Sequence, residues 1–234
     1  MKLGILKADD IGLDKAEGFG EYPDMFKALL KTECPDLQII TYEIREGHYP
    51  KDIDEVDAYL LTGSRKGVYD NLDWFPKLTH FIRQLHNARK SLIGICFGHQ
   101  FIAQALGGKV EKSPKGWGIG RHTVTLTSEA GYYAKDVKSF SLMTYHQDQV
   151  IVPAPNTKIV ASSDFCPAAM CVIGDHILTF QAHPEFSTAC SKKLLKKGQE
   201  SFDEVQYTQA LNSLAQPLDR QLIARWIKRF ALHH

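Results

Sequence analysis

The run Gly94-Ile95-Cys96-Phe97-Gly98-His99-Gln100 sets a cysteine between two glycines, each two positions away. An apolar segment leads into it and a segment of helical period leads out, so Cys96 falls at a strand-to-helix junction. A sharp turn of that kind crowds the backbone around its apex. Positions two before and two after it therefore favour glycine, which has no Cβ. The apex side chain projects into a cleft, and the helix N-terminus beside it supplies partial positive charge and unpaired N–H groups. Both favour a thiolate over a thiol and can hold an oxyanion. The competing reading is a buried structural cysteine, a common fate for that residue. The paired glycines weigh against it.

A sulfur nucleophile works with an imidazole that pairs with it and later protonates the leaving group, and that imidazole needs a partner to fix its orientation. His183-Pro184-Glu185 offers both. Residues 177–182 read as a strand arriving at His183, and Pro184 biases the residue before it toward an extended backbone. In an extended chain residues i and i+2 point the same way, so Glu185 can lie beside the His183 ring. A His-x-Glu triplet by itself is more often a surface histidine near a carboxylate. Its place at a strand end, behind a proline and downstream of an elbow, changes that balance.

The elements that must position these groups are legible in outline. Short apolar runs at 3–8, 37–42, 58–62 and 92–96 alternate with helical segments at 22–31, 74–87 and 97–106, the last stopped by Gly107-Gly108. That alternation predicts a parallel sheet with helices on its faces. Strand-like segments at 121–127, 141–146, 158–162, 169–173 and 176–182 then predict antiparallel strands appended to it. Behind Pro217, the residues Leu218, Leu222, Ile223, Trp226, Ile227 and Phe230 form an amphipathic stripe expected to pack on the core. Gly116-Trp117-Gly118-Ile119-Gly120 lacks the lysine of a phosphate-binding loop and the spacing of a dinucleotide fingerprint, and reads as a tight turn between strands. The basic cluster at 192–197 reads as a solvated helix face, and His233-His234 are set aside as a terminal pair.

Composition narrows the ligand class. At 234 residues and 44% apolar content, the whole chain, 1–234, is expected to form one domain. A formal charge of +1 gives no field to recruit nucleic acid, so a small-molecule substrate is expected. Five cysteines at unpaired spacings suggest neither a disulfide framework nor a metal knuckle, and no apolar run is long enough to span a membrane. These features predict a soluble, cytoplasmic protein needing no metal.

The elbow together with His183-Pro184-Glu185 resembles the class I, triad-type glutamine amidotransferases. Leu61-Thr62-Gly63-Ser64, ending a strand, is similar to that family's oxyanion loop, and Tyr145-His146-Gln147-Asp148 resembles the Ser-His-Gly-Asp segment of the glutaminase part of GMP synthase. The resemblance implies a flavodoxin-like α/β fold, no cofactor, and a thioester route from glutamine to glutamate and ammonia. It implies Cys96 as nucleophile, His183 as general acid/base and Glu185 as its orienter. Oxyanion donors would come from Phe97 and the Gly63-Ser64 turn, with Gln100 and His146 around the substrate. Two small residues of the family segment have become Tyr145 and Gln147 here, which alters that wall. Arg65 and Lys66 follow the oxyanion turn, where they are either a docking point for a substrate carboxylate or a solvated loop.

Two enzymatic roles stay open: an ammonia source for a separate synthase subunit, and a stand-alone hydrolase of γ-glutamyl peptides. The absence of an ATP-pyrophosphatase segment in these 234 residues keeps the second alive. A non-catalytic relative of the same fold ranks lower, because such proteins typically lose a triad member. A stress-response protein with a Cys-Glu elbow would not require His183-Pro184-Glu185.

Overall fold

The computed structural model describes residues 1–135 and 137–232, and the terminal pair His233-His234 lies outside them. In chain order the strands are β1 (Lys2–Lys7), β2 (Gln38–Glu43), β3 (Ala58–Leu61), β4 (Leu92–Ile95), β5 (Lys109–Lys112), β6 (Gly118–Leu126), β7 (Ser139–His146), β8 (Asp148–Val152), β9 (Thr157–Ser162), β10 (Met170–Ile173) and β11 (Ile177–Phe180). The α-helices are α1 (Tyr22–Leu30), α2 (Phe75–Asn87), α3 (Phe97–Ala105), α4 (Thr188–Lys197), α5 (Glu204–Ser213) and α6 (Arg220–Leu232).

Among the described residues the main sheet runs β2-β1-β3-β4-β11-β10-β9-β6-β7. The pairs β2/β1, β1/β3, β3/β4 and β4/β11 are parallel, and the rest, from β11/β10 to β6/β7, are antiparallel. This is the expected parallel core with antiparallel strands appended. β3, β4 and β11 are buried at every residue, as strands covered on both faces must be. One core, with Phe26 and Leu29 of α1 and Ile223, Trp226 and Ile227 of α6, covers one face. The other, with Leu78, Phe81 and Ile82 of α2 and Phe101 and Ile102 of α3, covers the opposite face. The C-terminal stripe thus packs on the core.

β5 and β8 form a separate two-stranded sheet, which the sequence reading does not anticipate, and α5 buries only Ala210. The glycine run is not a turn throughout. Gly116 lies in the turn at φ +75°, whereas Gly118 and Gly120 belong to β6. They serve close approach: a Cβ on Gly120 would meet Ala210 Cα at 2.8 Å, so the glycine admits α5 against the sheet.

The strand order reverses between β1 and β3, since β2 adds to one side of β1 and β3 to the other. In sheets of this kind ligands bind at the carboxyl ends of the strands, at such a switch point. Asp9, Gly63, Cys96 and His183 all follow the carboxyl ends of their strands, β1, β3, β4 and β11.

Candidate active site

Cys96 sits between β4 and α3 with φ +51° and ψ −102°, a left-handed conformation that a residue with a side chain adopts only when its surroundings impose it. The imposing contacts are specific. A Cβ on Gly94 would approach the Gly98 backbone and Ile102 Cδ1 at 2.7–2.8 Å, and one on Gly98 would collide with the Leu61 carbonyl. The Cys96 N–H donates to Phe180 O at 2.8 Å, tying the apex to β11.

β11 leads to His183. The His183 N–H donates to Met143 O at 2.8 Å, and its ring stacks on Phe186 with centroids 4.2 Å apart and planes 7° from parallel. Nδ1 meets Glu185 Oε1 at 2.7 Å, with both side chains almost fully buried. Burial pulls the imidazole pKa down, but the charges of Glu185 and Cys96, and hydrogen bonds to both, outweigh it and raise it to about 10. The Nδ1 contact with Glu185 leaves the other ring nitrogen for the sulfur.

Gly63 lies against the same ring: a Cβ there would stand 3.0 Å from His183 Cε1 and 3.1 Å from Tyr22 Oη. Among the described residues the N–H groups of Gly63, Ser64 and Phe97 donate no hydrogen bond. The turn is pinned from below. Thr62 Oγ1 accepts from Ala8 N and donates to Gly63 O, each at 3.0 Å, and buried Asp9 accepts from the Arg65 N–H at 3.1 Å. Asp9 also takes Arg65 Nε and Nη2 at 3.0 and 3.1 Å. Arg65 therefore anchors the Gly63-Ser64 turn, while its side chain stays 68% exposed.

Gln100 is almost fully buried, and its Nε2 is committed to Asp148 O at 2.8 Å and Gln181 Oε1 at 3.0 Å. That leaves only Oε1 to meet a ligand. Gln181, absent from the sequence reading, turns its own Nε2 to Cys96 Sγ at 3.7 Å. His146 is buried, its Nδ1 against Asp148 O at 3.1 Å, and burial lowers its pKa to about 3. It shares the Asp148 carbonyl with Gln100 Nε2 and stays neutral. The Asp148 carboxylate accepts from Tyr69 Oη at 2.8 Å, joining the loop after the Gly63-Ser64 turn to β8.

The sequence-predicted residues thus converge at one end of the sheet, with Cys96, His183, Glu185, Gly63 and Phe97 in one cluster and Gln100 reaching it through Gln181. Sulfur, imidazole, carboxylate and two sources of free N–H in this order can attack a carbonyl carbon, hold the resulting oxyanion and pass a proton to a leaving nitrogen. Fold and site together define an α/β protein with a cysteine elbow facing a His-Glu pair.

The chain belongs to the class I glutamine amidotransferases, whose family model matches residues 29–199. It is 30% identical to a glutamine amidotransferase-like protein of Schizosaccharomyces pombe over 98% of each chain. To gamma-glutamyl peptidase 5 of Arabidopsis thaliana it is 32% identical, over 79% of this chain and 75% of the relative. In fold it is similar to the crystal structure of a glutamine amidotransferase from Thermotoga maritima, with a TM-score of 0.75 at 16% identity, covering 99% of this chain and 95% of that one. Among the described residues no helix is long and apolar enough to cross a membrane.

Proposed function

We propose that this protein hydrolyses γ-glutamyl amide bonds through a thioester on Cys96. The observation that carries the reading is the strained Cys96 apex facing a buried His183 held at 2.7 Å by Glu185. Cys96 Sγ attacks the amide carbonyl carbon, and the oxyanion is met by the N–H of Phe97 and one from Gly63-Ser64. Donors of this kind are worth about 2.7–4 kcal/mol each. His183, protonated at neutral pH, gives its proton to the nitrogen as the C–N bond breaks, and the amine or ammonia leaves. Acylation removes the sulfur charge that helps to hold the His183 pKa up, so the ring, having given up its proton, stays neutral and free to take one from the attacking water. Hydroxide addition then releases glutamate and the free cysteine.

The γ-glutamyl part of the reading rests on Gln100, whose one uncommitted atom is an acceptor suited to an α-ammonium group. Between glutamine and γ-glutamyl peptides as substrate, the similarity to gamma-glutamyl peptidase 5 favours peptides. Supply of ammonia to a synthase subunit is the second reading, supported by family membership.

The test is to incubate the protein and its Cys96→Ala variant with glutamine and a panel of γ-glutamyl dipeptides, measuring glutamate and ammonia. Release of glutamate from the dipeptides by the wild type but not by the variant is expected. Turnover of glutamine alone would move the protein to the second reading. No turnover of any compound, with Cys96 left unmodified by a glutamine-like chloroketone, would end the hydrolase reading.

A further inference from the structure

Beside the oxyanion turn, two cationic side chains reach one spot from different elements. Asp9 fixes Arg65 through Nε and Nη2, which leaves Nη1 without a partner among the described residues. Lys197 arrives from the end of α4 and donates to Gly12 O. A Cβ built on Gly12 would sit 3.3 Å from Lys197 Nζ and 3.5 Å from Arg65 Nη1, so both heads converge over this glycine. Gly12 follows β1, at the end of the sheet that carries Cys96.

Arg65 stands two residues beyond Gly63, which lies against the His183 ring. Tyr22 Oη borders Gly63, whose other neighbour is the His183 ring. Nearby cations are already spent: Lys7 on Asp10 and Glu43, Arg45 on Asp9 and Asp10, Lys193 on Glu17. Lys197 and Lys66 enter no ion pair among the described residues.

We infer that Arg65 and Lys197 bind a carboxylate carried by the leaving group, so that the substrates are γ-glutamyl amino acids or peptides with a free carboxylate on the amine they release. This rests on the γ-glutamyl hydrolase reading above. Glutamine releases ammonia, which presents nothing to this mouth. A γ-glutamyl dipeptide presents a carboxylate on the released residue, and its two oxygens can each take a donor, one from the fixed guanidinium fork and one from the mobile ammonium.

The experiment compares γ-glutamylalanine with γ-glutamylalaninamide, which differ only in that carboxylate, as substrates of the wild type and of Lys197→Glu, with Lys197→Gln as a milder variant. Thermal melts confirm folding of each. In the wild type kcat/KM for the acid is expected to exceed that for the amide roughly tenfold, mainly through KM, equivalent to about 1.4 kcal/mol. Added salt narrows the gap, because exposed charges are screened, and Lys197→Glu brings the two substrates together. Equal kcat/KM for acid and amide in the wild type, or a ratio unaltered in both Lys197 variants, overturns the inference and leaves the hydrolase reading standing. If neither compound is cleaved by folded wild type, this inference fails, while the hydrolase reading is decided by the wider panel and the chloroketone.

Discussion

At the scale of single residues, the chain Asp148–Gln100–Gln181–Cys96 makes the position of the sulfur depend on two buried amides. Replacing Gln181 by leucine removes the N–H directed at Sγ and leaves one Gln100 N–H unpaired in a buried place. Leaving a buried donor unsatisfied costs about 1–3 kcal/mol. Gln181→Leu should therefore lower kcat about tenfold or more with a smaller change in KM, and it should shift the pH dependence of Cys96 alkylation by iodoacetamide. An alkylation profile matching the wild type would show that Gln181 does not hold the sulfur. Gln181 was not legible in the sequence because it is one polar residue in the strand-like run Leu178-Thr179-Phe180-Gln181-Ala182, and such a residue reads as an outward-facing strand position. Its place two residues before His183 is the signal that was present. Cys96, His183 and Glu185 were legible because glycines, a proline and alternation along an extended chain restrict backbone geometry, and that geometry is written in residue type.

Among the elements, the β4–α3 junction is the most constrained. Alanine at Gly98 would place a methyl against the Leu61 carbonyl, which is backbone of a central strand and cannot step aside. Overpacking of this kind costs about 1–3 kcal/mol. Gly98→Ala is thus expected to lower the urea midpoint, and activity should fall further than stability, because any relief moves α3 and with it the Phe97 N–H. Unchanged kcat with a lowered midpoint would separate the elbow from the oxyanion contact. The central strands and α2 were legible because burial on both faces, or on one helix face, leaves a strong pattern. β5 was not, because only Val110 of its four residues is buried. The strand character of Gly118 and Gly120 was hidden for the opposite reason: close packing demanded glycine, which reads as a turn.

For the molecule as a whole, buried histidines of opposite sign set the dependence of stability on pH. Burial holds His99 at about 4 and His146 at about 3, below their unfolded value of 6.5. Their contributions are complete above pH 6.5 and are lost as pH falls toward 4 and 3, because the unfolded chain takes up protons that the folded one refuses. His183 runs the other way. Raised to about 10, it contributes fully below pH 6.5 and loses its contribution as pH climbs from 6.5 toward 10. A maximum near pH 6.5 follows, with an acid limb steeper than the alkaline one, since His99 and His146, joined by His122 and His176, whose pKa values burial also lowers, act there against one raised ring, and each ring in full titration contributes about 1.4 kcal/mol per pH unit. Above pH 9 the alkaline limb steepens further, because burial holds Cys166, Cys171 and Cys190 at about 12 while the unfolded thiols ionise from 9.0. Urea unfolding between pH 4 and 9 measures the curve, and Glu185→Gln provides the internal control. Without the carboxylate, the alkaline limb between pH 6.5 and 9 should flatten while the acid limb keeps its slope. An alkaline limb that survives intact in Glu185→Gln would mean that the His183–Glu185 pair does not govern it.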